Sequence, residues 1–158
     1  MINEKLQNAL NGQINEEIFS AYLYLSMAAY FQSLNLNGFA AWMKAQAREE
    51  MSHAMKFYGF IDEMEGRVIL KAVQEPQKEW KSPLDAFNAA LQHERHISGR
   101  INDLYRLALA ESCYPMQLML QWFIKEQVEE EATASAVVHQ LGQIQDSPQG
   151  LWLIDREL

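Results

Sequence analysis

Apolar residues recur with helical spacing along most of the chain and predict four long helices. The first is expected from about Asn3 to Ser33, and its seven-residue repeat is Leu10, Glu17, Tyr24 and Phe31. The second is expected from about Asn37 to Glu65, and its repeat is Met43, Glu50, Phe57 and Met64. Seven residues make nearly two helical turns, so each repeat lies on one face. Each face is apolar except for one glutamate near its middle.

Two further stripes predict the third and fourth helices. Ser82 is a good N-cap for the third, because Pro83 follows at the first helical position. Its stripe fades near Glu111 to Tyr114, and Pro115 opens a fourth helix that ends near Gly142. The apolar positions are Leu84, Phe87, Leu91, Ile101, Leu104 and Ala108 in the third helix, and Met116, Leu120, Phe123, Ala134, Val137 and Leu141 in the fourth.

The connection from Gly66 to Lys81 lacks helical periodicity, and Pro76 argues against a helix there. Gly66 is expected to end the second helix as a C-terminal glycine. Helices of about 28 residues measure roughly 42 Å, and the extended connection reaches roughly 53 Å. The connection can therefore return along the whole bundle, which would make the second and third helices parallel.

The C-terminal end carries the signature of a short fifth helix, which starts at Ser147 and Pro148. Few proline residues (4) and few glycine residues (7) also favour long helices over turn-rich β structure. The chain of 158 residues is therefore expected to form one all-α domain over residues 1–158. Its architecture would be a four-helix bundle with a long crossover between helices 2 and 3, plus the short fifth helix.

Polar residues interrupt all four long stripes. Glu50 and His53 are three residues apart, so a helix places them one turn apart on one face, where they can hold one metal ion. A lone buried carboxylate is costly unless it is paired or bound to metal. With the first helix up, the next two down and the fourth up, the interruptions lie within about one 5.4 Å turn of a common height. They are Glu17, Glu50, His53, Glu94, Gln127 and Glu130.

These residues together predict a dinuclear metal centre. Four carboxylates balance the charge of two divalent ions, and Glu50 is placed to bridge them. Oxygen ligands with one imidazole suit iron or manganese, although zinc can also occupy such a site. Any one of these glutamates, taken alone, would be expected to face solvent. Four coincident interruptions at one height favour the metal centre.

Composition narrows the function further. The net charge of −8 argues against nucleic acid and anionic membranes as partners, and it suits the attraction of cations. A single cysteine, Cys113, excludes a disulfide framework and fits a reducing compartment. No signal peptide and no run long enough to span a membrane is visible, so a cytoplasmic protein is predicted.

The residues described above resemble those of bacterial non-haem ferritins over essentially the whole chain. The matching features are Glu17 with Tyr24 seven residues later, Arg-Glu-Glu-Met-Ser-His at 48–53, Glu94, Gln-Trp-Phe-Ile-Lys-Glu-Gln-Val-Glu-Glu-Glu at 121–131, and Gly-Leu-Trp-Leu-Ile-Asp-Arg-Glu-Leu at 150–158. The resemblance implies a ferritin-like bundle that assembles into a homo-oligomeric shell of twenty-four subunits. It also implies a ferroxidase, which oxidises ferrous iron with dioxygen or hydrogen peroxide and stores ferric mineral.

The resemblance also implies the site residues. The ligands of one iron would be Glu17, Glu50 and His53. Those of the second would be Glu50, Glu94 and Glu130, with Gln127 nearby. Tyr24 would serve catalysis beside the centre as an electron donor, although the pattern alone predicts only a core aromatic residue. A possible third iron site would comprise Glu49, Glu126, Glu129 and Glu130. The first three border the stripe, so a solvated face is the alternative for them.

Other functions remain to be compared with iron storage. A peroxidase of the rubrerythrin type needs an additional iron domain ligated by cysteines, which one cysteine cannot build. A haem-binding bacterioferritin needs a second Glu-x-x-His pattern that starts at Glu130, but Thr133 stands where the histidine is required, so no haem is expected. A purely structural helical assembly is the third alternative.

Overall fold

The computed structural model describes residues 1–158 as five α-helices and no β-strand. The helices are α1 (Glu4–Ser33), α2 (Asn37–Glu63), α3 (Pro83–Ala110), α4 (Tyr114–Ile144) and α5 (Pro148–Glu157). The predicted all-α fold is confirmed, with four long helices and a short fifth. None of the helices is both long enough and apolar enough to cross a membrane.

Side-chain caps set the starts of three helices. The Asn3 side chain accepts a hydrogen bond from the Leu6 N–H at 2.9 Å, and Ser82 accepts one from the Asp85 N–H at 3.1 Å. Ser147 caps α5 in the same way. Each cap satisfies an N–H group that has no carbonyl partner within the helix.

The end of α2 differs from the prediction that Gly66 terminates the helix. The helix stops at Glu63, and the left-handed conformation falls on Glu65, whose φ is 60°. The Gly66 N–H donates to the Ile61 carbonyl at 2.8 Å, which closes the C-terminal turn. Gly66 is needed for space instead, because a β-carbon there would lie 2.8 Å from Cγ2 of Ile2.

The connection between α2 and α3 lies along α1 without regular secondary structure. Asn11, Asn15 and Ser26 donate in turn to the backbone carbonyls of residues 67, 72 and 77, at 3.0, 3.1 and 2.6 Å. Because both sets of residue numbers rise together, the connection runs in the direction of α1, from its start toward its end. This path returns the chain to the starting end of α2, so α3 runs parallel to α2.

The short α5 helix packs against the start of α2. Asp155 accepts a hydrogen bond from the Phe39 N–H at 2.9 Å, and thereby caps a helix whose own N-cap residue, Leu36, makes no side-chain cap. A β-carbon at Gly38 would lie 1.7 Å from the Asp155 carbonyl oxygen. Only glycine allows this close approach, so the docking of α5 depends on a contact between residues far apart in sequence.

Two apolar clusters fill the bundle, and a polar layer separates them. The first cluster includes Phe31, Phe39, Phe87 and Val137. The second includes Leu10, Phe57, Ile101 and Phe123. Along α1, for example, Glu17 lies between Ile14 of the second cluster and Tyr24 of the first. The polar layer is therefore held in place by well-packed apolar side chains on both sides.

Candidate metal centre

All four long helices contribute side chains to the polar layer. The residues are Glu17 from α1, Glu50 and His53 from α2, Glu94 from α3, and Gln127 and Glu130 from α4. Every one of them is buried. On α2 and α4 the three-residue spacing places both side chains on the inward face. The six residues that the stripes singled out therefore converge in the core.

Glu17, Glu50 and His53 form a first group, whose potential ligand atoms all lie within 4.8 Å of one another. Nδ1 of His53 is 3.2 Å from Oε2 of Glu50 and 3.9 Å from Oε2 of Glu17. Oε2 of Glu17 and Oε1 of Glu50 are buried and have no hydrogen-bond partner. Unpartnered buried carboxylate oxygens are costly, and a cation bound between them would remove that cost.

Glu50, Glu94 and Glu130 form a second group within the same distance limit. The Tyr24 hydroxyl donates to Oε1 of Glu94 at 2.5 Å, and Nε2 of Gln127 donates to Oε2 of Glu94 at 3.1 Å. Both donors are themselves buried. Glu50 belongs to the first and the second group, so it is placed to bridge two ions.

A third group comprises Glu49, His53, Glu126 and Glu130. Glu49 and Glu126 are half-buried, so this group reaches from the core toward the surface. Glu129, the remaining member of the predicted third site, is exposed and lies outside all three groups. Adjacent helical residues point in directions about 100° apart, so Glu130 can point inward while its neighbour Glu129 is exposed.

The electrostatics of the layer favour protonation when no cation is bound. Burial, followed by the charge of Glu50, raises the pKa of Glu17 well above its ordinary value. Burial and the charge of Glu94 do the same for the pKa of Glu50. Burial likewise raises the pKa of Glu94, and it raises the pKa of Glu130 to about 10. A divalent cation that binds here would displace protons.

The stripes did not point to Gln13, which also belongs to the polar layer. It is fully buried, and its Nε2 donates to Oε1 of Glu17 at 2.9 Å. Its place in the polar layer could have been predicted from the sequence, since Gln13 precedes Glu17 by four residues and therefore lies on the same face of α1. On the other side, Nε2 of Gln127 also lies 3.2 Å from the Ser98 hydroxyl oxygen.

Comparison with known proteins places these residues in a wider context. Residues 7–144 match the ferritin-like domain family. The chain is 41% identical to a bacterial non-heme ferritin of Bacteroides fragilis, over 100% of this chain and 98% of that protein. It is 36% identical to a bacterial non-heme ferritin of Campylobacter jejuni, over 99% of this chain and 93% of that protein. A solved structure described as an open pore ferritin from the archaeon Archaeoglobus fulgidus has a TM-score of 0.98 and 48% identity, over 99% of this chain and 97% of that chain.

Proposed function

Since the chain belongs to the ferritin-like domain family, we propose that it oxidises ferrous iron at a dinuclear site within the bundle and stores the ferric product in a hollow shell. The observation that carries the proposal is the sharing of Glu50 between two buried ligand groups. Iron is here the substrate and the cargo. The family match supports iron storage, and the ligand geometry supports the oxidation step.

Each residue of the layer has a proposed role. The first ferrous ion binds the first group, and the second ion binds the second group, with Glu50 as the shared ligand. Tyr24 and Gln127 hold both oxygens of Glu94 in place. Each ion gives up one electron, and dioxygen takes up two electrons and two protons to form hydrogen peroxide. When hydrogen peroxide is the oxidant instead, it takes up two electrons from two ferrous ions together with two protons and forms two water molecules.

The charge balance of the layer supports release of the product. Four ionised carboxylates neutralise two ferrous ions but leave two ferric ions with surplus positive charge. Water releases protons to the solvent to supply hydroxide or oxide, and these anions balance the surplus charge and replace bonds between iron and the protein. The third group shares His53 with the first group and Glu130 with the second, and it offers Glu49 and Glu126 to a departing ion. We propose that this is the third iron site and that ferric ions leave through it.

Exposed apolar side chains support assembly with further copies of the chain. Tyr22, Leu25 and Met51 are exposed and line a groove between α1 and α2. Apolar surface of this kind commonly marks protein contacts. We propose a shell of twenty-four subunits. The relative from Archaeoglobus fulgidus is described as an open pore ferritin and has been engineered into a closed form, and electron microscopy of this protein would distinguish the two shells. The cytoplasmic location stays a prediction.

Aerobic addition of ferrous iron to the metal-free protein tests the proposal. Size-exclusion chromatography with iron detection should show ferric iron eluting with a large protein assembly, far in excess of three ions per chain. The Glu50→Gln variant is the control, because it keeps the shape of the site and removes the bridging carboxylate. Iron that stays limited to three ions per chain or fewer would contradict storage and favour a cofactor site. A stable monomer in light scattering would contradict the shell.

A further inference from the structure

A buried amide stands behind the first group. Gln13 is fully buried on α1, and its Nε2 donates to Oε1 of Glu17 at 2.9 Å. Its own Oε1 accepts a hydrogen bond from Nε of Arg100, on α3, at 3.0 Å. The Arg100 side chain is 35% exposed, so the amide links a guanidinium at the protein surface to a carboxylate in the core.

Arg100 determines which way this amide points. A guanidinium donates hydrogen bonds and cannot accept them, so the amide oxygen must face Arg100. The amide NH2 group then faces Glu17, where it donates. A reversed amide would place donors together at Arg100 and acceptors together at Glu17. Arg100 is held over α1 by Glu16 as well, with Nη1 3.6 Å from Oε1 of that residue.

The amide leaves Glu17 with one engaged oxygen and one free oxygen. Oε1 is bound by Gln13, whereas Oε2 has no hydrogen-bond partner and lies 3.9 Å from Nδ1 of His53. A carboxylate held by a second residue offers its free oxygen in a fixed direction, which lowers the ordering cost of binding a cation. Glu17 occurs only in the first group, so this effect is confined to that group.

We propose that Gln13, oriented by Arg100, is a positioning residue that sets the affinity of the first group for a divalent metal ion. The inference rests on the proposed function, because it concerns the binding of the first of the two ions. Neither residue belongs to a ligand group. Both act through Glu17, and Arg100 acts through Gln13.

Titration of the metal-free protein with Co(II) tests this inference without an oxidation step, because visible absorbance reports both binding and ligand geometry. Gln13→Met keeps the length of the side chain and removes both hydrogen bonds. We expect the first Co(II) to bind about ten- to a hundredfold more weakly, with an altered spectrum, and the second Co(II) to bind as in the wild type. Arg100→Met leaves the amide free to rotate, so its effect should be in the same direction and smaller.

Glu16→Gln is the matched control. It removes the ion pairs that Glu16 forms with Arg100 and His96 but keeps the connection from Arg100 through Gln13 to Glu17. Its Co(II) binding should match the wild type, and circular dichroism should show that all three variants fold.

Three results would overturn the inference. The first is a Gln13→Met variant whose Co(II) affinity and spectrum match those of the wild type. The second is an equal decrease in the affinities for both Co(II) ions in that variant. The third is a decrease in Co(II) affinity in Glu16→Gln as large as that in Arg100→Met. Failure of the wild-type protein to bind Co(II) within the bundle would instead overturn the proposed function.

Discussion

The first and second ligand groups share Glu50 but differ in how they are built. Both consist only of buried residues, but the first group comes from the adjacent helices α1 and α2 and includes the imidazole of His53. The second takes one carboxylate from each of α2, α3 and α4 and has no imidazole. The third group shares His53 with the first group and Glu130 with the second, and it includes the half-buried residues Glu49 and Glu126.

Because of this difference, we expect the two groups to differ in how firmly each retains a bound ion. The first group meets the third group through His53, whose Nδ1 can hold only one ion, and a buried amide restrains Glu17. The second group is enclosed on the side of Tyr24 and Gln127, and it meets the third group through Glu130, whose two carboxylate oxygens can contact two ions. We therefore expect the first ion to be held more firmly, and the second position to exchange its ion with the third group. Substitutions in each group test this contrast.

Glu50→Ala should give the largest loss, because it removes a ligand from both groups at once. We expect the initial rate of ferrous iron oxidation to fall at least about a hundredfold, as measured by stopped-flow absorbance. His53→Ala removes a ligand from the first group and should cost about tenfold at saturating iron. Equal losses in the two variants would contradict a special role for the shared residue.

Protons bound by the metal-free layer should make the apo protein less stable as pH rises. The folded pKa of Glu130 is about 10, whereas an unfolded glutamate titrates at about 4.3. Between these values the folded state holds a proton that the unfolded state has released, so the free energy of unfolding falls with rising pH. One such proton contributes up to about 1.4 kcal/mol per pH unit.

The carboxyl groups of Glu17 and Glu50 contribute a slope of the same sign, since burial raises the pKa of each well above its ordinary value. Denaturant unfolding of the metal-free protein at pH 6, 7 and 8 measures the slope. In Glu130→Gln the slope should be shallower. An unchanged slope would show that Glu130 does not carry a proton in the folded apo protein.

Tyr24→Phe should loosen the second group alone. The change removes the 2.5 Å hydrogen bond to Oε1 of Glu94, and we expect it to lower the free energy of unfolding of the apo protein by about 1 kcal/mol. Co(II) titration should then show weaker binding at the second group and unchanged binding at the first. Weaker Co(II) binding at the first group would show that the first and second groups are coupled more tightly than their contacts indicate.

The double change of Glu49→Gln and Glu126→Gln should have the smallest effect on the first turnover. Both residues lie in the third group, so the change should slow regeneration of the centre between successive iron additions, by several-fold or more, and leave the first rapid oxidation unaltered. Repeated stopped-flow additions measure the two steps separately. Glu129→Gln is the matched control, because Glu129 is exposed and outside the groups. A slower first turnover in the double variant would contradict an exit role.

The helices and the polar layer could be predicted because their signals are local. An apolar stripe with helical spacing predicts which residues face the core, whatever the partner helices are. An acid within that stripe stands out because its burial is costly without a partner. The buried set of Glu17, Glu50, His53, Glu94, Gln127 and Glu130 follows from this reasoning, although the metal role of each residue stays a proposal.

Residues at the border of a stripe could not be assigned from the sequence. Glu49, Glu126 and Glu129 look equivalent in the pattern, yet only the first two join the third group. Adjacent helical residues point about 100° apart, so a modest rotation of α4 decides whether a border residue faces inward. That rotation is set by the packing of Phe123 and Val137 into the two apolar clusters. Each cluster is built from several helices, so the sequence of α4 alone does not determine the rotation.

The sequence by itself determined the all-α class, the crossover and the height of the polar layer, because helical periodicity and chain length limit these features. Only the tertiary structure decided which oxygens remain free and which residues are shared. The hydrogen bond from Arg100 to Gln13 joins residues 87 positions apart, and the cap that Asp155 provides for α2 joins residues 116 apart. Such contacts depend on the relative rotation and approach of packed helices, and those quantities emerge only when several side chains compete for the same buried space.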